Sequence, residues 1–443
     1  MREMKDSGIE WIGKIPCQWT TKPNKIIMSK YKQIISVYKG ETILSLTMNG
    51  VIVRDLENLK GKRPTSFNGY QKILPGNLLM CLFDIDVTPR CIGLIKNNGL
   101  TSPAYSQFII NEGYCVAYYY YYYLMLDNTK ELLHLAKNLR HSLTEDQLGS
   151  VHVPVPPLTE QQAIADFLDA KCADIDSLTE DIQKQIDILK EYKKSVITQA
   201  VTKGLDPNVE MKDSGMEWIG KMPKRWIYPK ITYILDIEHE YPIGDGDHGT
   251  IKANNYVQEG IPFIRVQNLG FAAPLRLDDV VYITKKQNIT IKNSTLKPDD
   301  ILFVKTGATI GKVGIVPKEL LISNTTSHVG KITVNQKIIV PRFLFYALSS
   351  TVGYKLLWDI AGQKSTRPEL SIEEIKRLHI ILPDSLQEQQ NIVDYLDAQC
   401  ADIDAAIAGK QKQLDVLKEY KKSLIYEYVT GKKEVPCREY DPS

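Results

Sequence analysis

The chain has 443 residues, 55 Lys+Arg against 53 Asp+Glu, 43% hydrophobic and 24% charged residues. That length exceeds one ordinary core and suits two to four domains, and the hydrophobic share excludes global disorder. No run of about 18 apolar residues occurs, the first residues lack an apolar core, and the seven Cys lie far apart with no C-x-x-C pair, so a membrane span, a secretory signal, a zinc site and a disulfide framework are not expected, and a reducing, cytosolic setting is.

Residues 4–19, MKDSGIEWIGKIPCQW, form a lead-in to a first block, residues 20–157. Within that block, residues 42–46, 50–54, 77–83 and 92–95 are short strand-like runs separated by Gly, Pro and Asn. A helix is expected at residues 118–138. Its six consecutive Tyr read as a packed helix rather than a stacking platform, because the second block has apolar residues 343–348 at the same place. A long helix follows, over residues 159–202. Its apolar positions Ile164, Leu168, Ile175, Leu178, Ile182, Leu189, Tyr192 and Val196 recur at helical spacing, no Pro interrupts them, and Gly204 stands at the end. Such a helix is roughly 65 Å long.

The same order then repeats. Residues 211–226, MKDSGMEWIGKMPKRW, match the first lead-in at 12 of 16 positions. In the second block, residues 227–385, strands are expected at 262–266, 280–283, 301–304, 313–316 and 328–334, and a helix at 341–361. The second long helix starts LQEQQNIVDYLDAQCADID at Leu386, against LTEQQAIADFLDAKCADID at Leu158. Both continue to an identical LKEYKKS, at residues 189–195 and 417–423. Its apolar positions are Ile392, Leu396, Ile403, Ala406, Leu417, Tyr420 and Leu424. Lys410 interrupts the stripe and Gly431 closes the helix. A helix this long with one apolar stripe needs a partner, and the two copies are the obvious pair. The fold class expected is α+β with an internal pseudo-twofold repeat. Its four segments are residues 1–157, 158–207, 208–385 and 386–443.

The two blocks share almost no sequence. A duplicated enzyme repeats its catalytic residues, whereas a duplicated reader keeps its frame and changes what it reads. Residues 20–157 carry 15 basic and 10 acidic groups, and residues 227–385 carry 19 and 16. The helical segments 158–210 and 386–443 carry 6 against 11 and 8 against 11. Mildly basic blocks joined by acidic helices suit a polyanion bound by the blocks alone, although ordinary fluctuation gives the same pattern.

Motifs for chemistry are absent. In Gly307-Ala-Thr-Ile-Gly311-Lys312-Val-Gly314 only three residues separate the first two glycines, and Val follows the Lys, so a strand-to-strand turn fits better than a phosphate loop. The run Gly244-Asp-Gly-Asp-His-Gly249 lacks the terminal acid of a calcium loop. The His residues have no zinc spacing, there is no G-x-S-x-G elbow, and no Asn-Pro-Pro-aromatic tetrapeptide occurs. No metal is expected.

Polar and basic loop residues match the repertoire that reads base edges and phosphates. In the first block these are Arg54, Lys60, Lys62, Arg63, Arg90, Lys96, Asn97, Asn98 and Tyr105. In the second they are Arg265, Lys305, Thr306, Thr309, Lys312, Asn324, Thr325, His328, Gln363, Lys364, Ser365, Thr366 and Arg367. A plain solvated loop is the alternative at each.

The doubled frame resembles the specificity subunit of a type I restriction–modification system. The likeness lies in DSG-x-EWIGK-x-P-x-x-W before each block and L-x-EQQ-x-I-x-x-(F/Y)LD after it. Ser102-Pro-Ala-Tyr105, Lys297-Pro-Asp-Asp-Ile-Leu302 and residues 362–371 add to it, and it covers essentially the whole chain. The resemblance implies two target-recognition domains, each reading half of a bipartite double-stranded DNA sequence. It implies two antiparallel helices, pairing as a coiled coil, that space the domains and dock two adenine-methyltransferase subunits. S-adenosylmethionine, ATP and Mg would belong to partner subunits, including a restriction (translocase–nuclease) subunit where one joins, and none to this chain. Arg140-His-Ser-Leu-Thr144 stands where the second block has the longer loop of residues 363–371, and which first-block loop probes DNA is left open. A lone methyltransferase, a coiled-coil scaffold and a stand-alone DNA-binding protein are the rival readings.

Overall fold

The computed structural model describes residues 2–57, 64–136, 140–217, 219–246, 249–362 and 368–436. The chain divides into two compact units: Met1–Gln183 with Lys412–Ser443, and Lys184–Gln411. The spacer helices therefore do not stand apart from the blocks; each is shared between the units.

The first unit is built on four antiparallel strands, β1 (Met28–Tyr31), β2 (Leu78–Met80), β3 (Ile92–Leu94) and β4 (Ser106–Ile110), in the order β1-β4-β2-β3. Helix α1 (Val116–Thr129) packs against β3. It stops where Lys130 enters the left-handed region, and a 3-10 turn, Glu131–Leu135, takes the place of the expected helix continuation. The Tyr run is core. Tyr118, Tyr119, Tyr122 and Tyr123 are buried, and their hydroxyls are spent locally: Tyr118 donates to the Val429 carbonyl, Tyr119 to that of Pro154, and Tyr123 to Asn24 Oδ1. Helix α2 (Leu158–Lys203) leaves the unit.

The second unit repeats the topology without repeating the sequence. Strands β5 (Ile243–Asp245), β6 (Ile301–Val304), β7 (Val313–Ile315) and β8 (Val329–Ile332) are antiparallel in the order β5-β8-β6-β7. Helix α3 (Pro341–Ser349) packs on β6 and β7. The helix expected at 341–361 is broken: Ser350 is extended, and its hydroxyl accepts from the Gly353 amide to cap α4 (Thr351–Ala361). Helix α5 (Leu386–Val429) closes the repeat. Residues 305–312 form the turn between β6 and β7, and the glycine run 307–314 supplies most of it, as its spacing suggested.

The repeated letters are the joints of this frame. Trp19 Nε1 donates to Glu160 at 2.9 Å, and Trp226 Nε1 to Glu388 at 2.9 Å. The next residue orders the start of the packed helix: Gln161 Oε1 accepts from the Cys115 amide at 2.9 Å, and Gln389 Oε1 from the Val340 amide at 2.8 Å. Each long helix ends on a glycine of positive φ, Gly204 or Gly431, seated on the lead-in tryptophan of its unit.

Inside each unit, the first part of one long helix runs antiparallel to the last part of the other. Phe167 packs on Tyr428 and Asp176 pairs with Lys421 in the first unit. Lys193 pairs with Asp404 and Lys410 donates to Gln185 in the second. Of the expected seam, Ile164, Leu168, Ile175, Ile182, Ile392, Leu396, Ile403 and Leu424 are buried, and Leu189, Val196 and Leu417 are half-buried. Leu178, Tyr192 and Tyr420 are corrected: all three are about half exposed. A heptad has two inward positions. One is apolar throughout, at 168, 175, 182, 189 and 196. The other runs through Cys172, Thr179, Ile186, Lys193 and Ala200, and its polar residues conceal it in a search for apolar spacing.

Candidate nucleic-acid interface

In each unit the second sheet strand runs out into a loop, and a segment preceding a short capped helix lies beside that loop. In the first unit, the Leu143 amide donates to the Leu82 carbonyl at 2.8 Å, and the Asp84 amide to the Arg140 carbonyl at 3.1 Å. Thr144 then caps the helix Glu145–Ser150 through a capping box with Gln147. In the second unit, the Leu370 amide donates to the Lys305 carbonyl at 2.8 Å, and the Gly307 amide to the Pro368 carbonyl at 2.9 Å. Ser371 then caps Ile372–Arg377 through a capping box with Glu374. Residues 140–143 and 368–370 are thus structural counterparts, at the places in the chain where the sequence aligned them.

A ring stands before the last sheet strand at both places. Tyr105, preceding β4, stacks on Phe83 with centroids 6.2 Å apart. Its turn is held by Gln71, whose Nε2 donates to the carbonyls of Ser102 and Tyr105 at 2.8 and 2.7 Å. Burial raises the Tyr105 phenol above its ordinary value against the opposing charge of Arg54, so it is a neutral donor and acceptor. In the second unit, His328 precedes β8 and its Nδ1 lies 2.7 Å from the Thr306 hydroxyl.

The candidates distribute unevenly. Lys96, Asn97 and Asn98 are exposed on the turn between β3 and the strand Gly99–Thr101, and Arg54 is half-buried after the strand Gly50–Val53. Thr309 and Lys312 are half-buried on the β6–β7 turn. Arg265 is half-buried, donates Nη2 to the Asp279 carbonyl at 2.8 Å and lies over the Tyr256 ring. Lys60, Lys62, Arg63, Gln363, Lys364, Ser365, Thr366 and Arg367 lie outside the described residues.

Five assignments are corrected. Asn324 and Thr325 are fully buried: Asn324 Oδ1 accepts from Ser294 Oγ, and Thr325 donates to the Ile264 carbonyl. Lys305 is buried, with Nζ 2.7 Å from Asp245 and 3.6 Å from Glu369, so it stitches β5 to the 368–370 segment. Thr306 is buried and its hydroxyl is paired with His328. Arg90 NH1 lies 3.0 Å from the buried Asp127 carboxylate and fixes the end of α1. Polar letters in a loop look alike in sequence whether they face solvent or satisfy the interior, since buried polar groups must be bonded.

The loop after β2 was not foreseen. Phe83, Asp84, Asp86 and Val87 are exposed there, while Ile85 is buried. Its signal was the Phe-Asp-Ile-Asp-Val alternation, which reads as the end of a strand. Among the described residues no group of three or more His, Cys, Asp or Glu could hold a metal ion, and no helix is long and apolar enough to cross a membrane.

The family model for the type I restriction modification DNA specificity domain matches residues 94–187 and 246–416. The type I restriction enzyme EcoBI specificity subunit of Escherichia coli is 30% identical over 256 residues, which is 57% of this chain and 52% of that protein. The MjaVIII specificity subunit of Methanocaldococcus jannaschii is 27% identical over 286 residues, 64% of this chain and 62% of that one. The chain thus spans about half to about three fifths of the length of the curated relatives it matches. A solved chain from work on complex assembly and conformational transition of the type I R-M system superposes with TM-score 0.66 at 13% identity, covering 95% of this chain and 99% of that one. At that identity the likeness is one of fold.

Proposed function

We propose that this chain, which belongs to the type I restriction modification DNA specificity family, is the DNA-reading subunit of such a system. Each unit reads one half of a bipartite site in double-stranded DNA, and the chain performs no chemistry of its own. One observation carries the reading. Two blocks without common sequence fold to one topology and bring counterpart loops to one place, with different side chains in each. A frame held constant under changing loops suits two readers of two sequences.

The repeated frame supports the rest. A duplicated surface of lead-in motif and helix suits two copies of one partner, here adenine methyltransferase subunits. S-adenosylmethionine, and the ATP and Mg of any restriction subunit, belong to those partners, and the assembly works in the cytoplasm. Lysine and arginine at the loops set register on phosphates while polar side chains select bases. The test is a map of N6-methyladenine in a genome carrying the chain with its methyltransferase partner, against the partner alone. A bipartite motif methylated only when the chain is present is expected. Methylation indifferent to the chain sinks the reading.

A further inference from the structure

The loop after β2 has an odd composition for a surface that meets DNA. Phe83 and Val87 are apolar yet 36% and 73% exposed, and Asp84 and Asp86 are exposed carboxylates. The loop is also firmly held. The Asp84 and Ile85 amides donate to the Arg140 and His141 carbonyls at 3.1 and 3.2 Å, and the Thr88 amide donates back to the Asp84 carbonyl at 2.9 Å. Ile85 is buried beneath, and Lys130 Nζ donates to the Thr88 carbonyl at 2.8 Å. Asp84 adopts φ +47°, which turns the chain at the tip. The tip is thus formed in advance, with Phe83, Asp84 and Val87 exposed and Phe83 stacked on Tyr105. Asp86 lies 3.9 Å from His141 Nε2.

A carboxylate brought against a polyanion is repelled by the phosphates. It is favourable there where it accepts from a base amino group, and the N4 amino group of cytosine in the major groove is the partner that carboxylates fit. Exposed apolar side chains beside it match the C5 methyl of thymine. The counterpart loop of the second unit offers Gly307 and Thr309, and its nearby Glu369 is paired with Lys305. The two units therefore present different chemistry at one structural position.

We propose that Asp84 is a base-selecting residue of the first unit, accepting a hydrogen bond from the N4 amino group of a cytosine, while Phe83 and Val87 cover the methyl of a neighbouring thymine. The inference rests on the DNA-reading function above and names what one of its loops reads.

The experiment uses the full chain with its methyltransferase partner, comparing wild type with Asp84→Asn by mapping N6-methyladenine. Asn tolerates positive φ, so the turn survives. The variant is expected to lose its preference for C·G at one position of one half-site, by about tenfold or more, with the other half-site unchanged. An unchanged motif, or a position in the wild-type motif occupied by A·T, overturns the assignment. Where Asp84→Asn stops methylation altogether, binding to mixed-sequence DNA decides: retained binding supports base selection, and its loss shows the tip to be structural and overturns it. In the mapped half-site, uracil in place of thymine is expected to weaken wild type several-fold and to leave Val87→Ala unaffected; equal behaviour overturns the methyl contact. Wild type that directs no methylation sinks the DNA-reading function itself, a result separate from any of these.

Discussion

The Lys193 ammonium donates to both carboxylate oxygens of Asp404, at 2.8 and 2.7 Å, and to the carbonyl of Ala272 at 2.8 Å. The repeat reproduces the pair in the other unit, where Lys421 donates to Asp176 at 2.6 and 2.8 Å. Both lysines occupy inward heptad positions, where a polar residue fixes register and orientation of paired helices at some cost in stability. The two sites differ in burial: the Lys193 side chain is 9% exposed and that of Lys421 is 27%.

That difference sets the first expectation. Lys193→Ala should destabilise the second unit by about 1–3 kcal/mol, because it leaves the Ala272 carbonyl and Asp404 without their donor. Lys421→Ala should cost the first unit about 1 kcal/mol or less. Denaturant unfolding of the two variants, with an Asp404→Ala double-mutant cycle, measures both. Equal losses would falsify the role assigned to burial.

The terminal glycines should respond in the same direction with unequal size. A Cβ on Gly431 lies 2.6 Å from the Pro16 ring and 2.9 Å from Trp19, whereas one on Gly204 lies 3.3 Å from Trp226. Both residues have positive φ, which costs about 1–2 kcal/mol for alanine. Gly431→Ala adds overpacking of about 1–3 kcal/mol. Thermal unfolding should rank Gly431→Ala below Gly204→Ala, and both below wild type.

Alkali should expose the Tyr core of the first unit. Burial raises the phenols of Tyr118, Tyr119, Tyr121, Tyr122 and Tyr123 above their ordinary value. A folded-state pKa above the unfolded one means that the folded state holds the proton more tightly. Its stability is intact below pH about 10 and falls as pH rises beyond it. Tyrosinate absorbance should therefore appear together with loss of circular dichroism. Ionisation of these residues while the fold persists would contradict their packing.

Lys96 tests the phosphate role on the exposed β3 turn. Lys96→Ala should weaken binding to all sequences alike and lower the salt slope by about 1, with the methylated motif unchanged. A change of motif instead would make Lys96 a reader of bases.

The repeat, the two long helices and their pairing were legible in the sequence, because duplication and heptad spacing are one-dimensional patterns with a direct physical cause. The joints were visible as letters only. EQQ and the lead-in tryptophan recur, yet that Glu160 receives Trp19 and Gln161 the start of α1 follows from chain folding. The strands Met28–Tyr31, Ser106–Ile110 and Ile243–Asp245 escaped notice because they are short and owe their form to neighbours rather than to alternation.

The reading loops divide in the same way. Composition marked them as polar, and only tertiary structure sorted Lys96, which is exposed, from Lys305, which is buried between Asp245 and Glu369. It also brought Arg140 beside Asp84, residues far apart in the chain. Sequence by itself determined the frame, since a frame is built from repeated local preferences. Which side chains face the ligand depends on burial and on contacts between distant segments, and neither is written in local order.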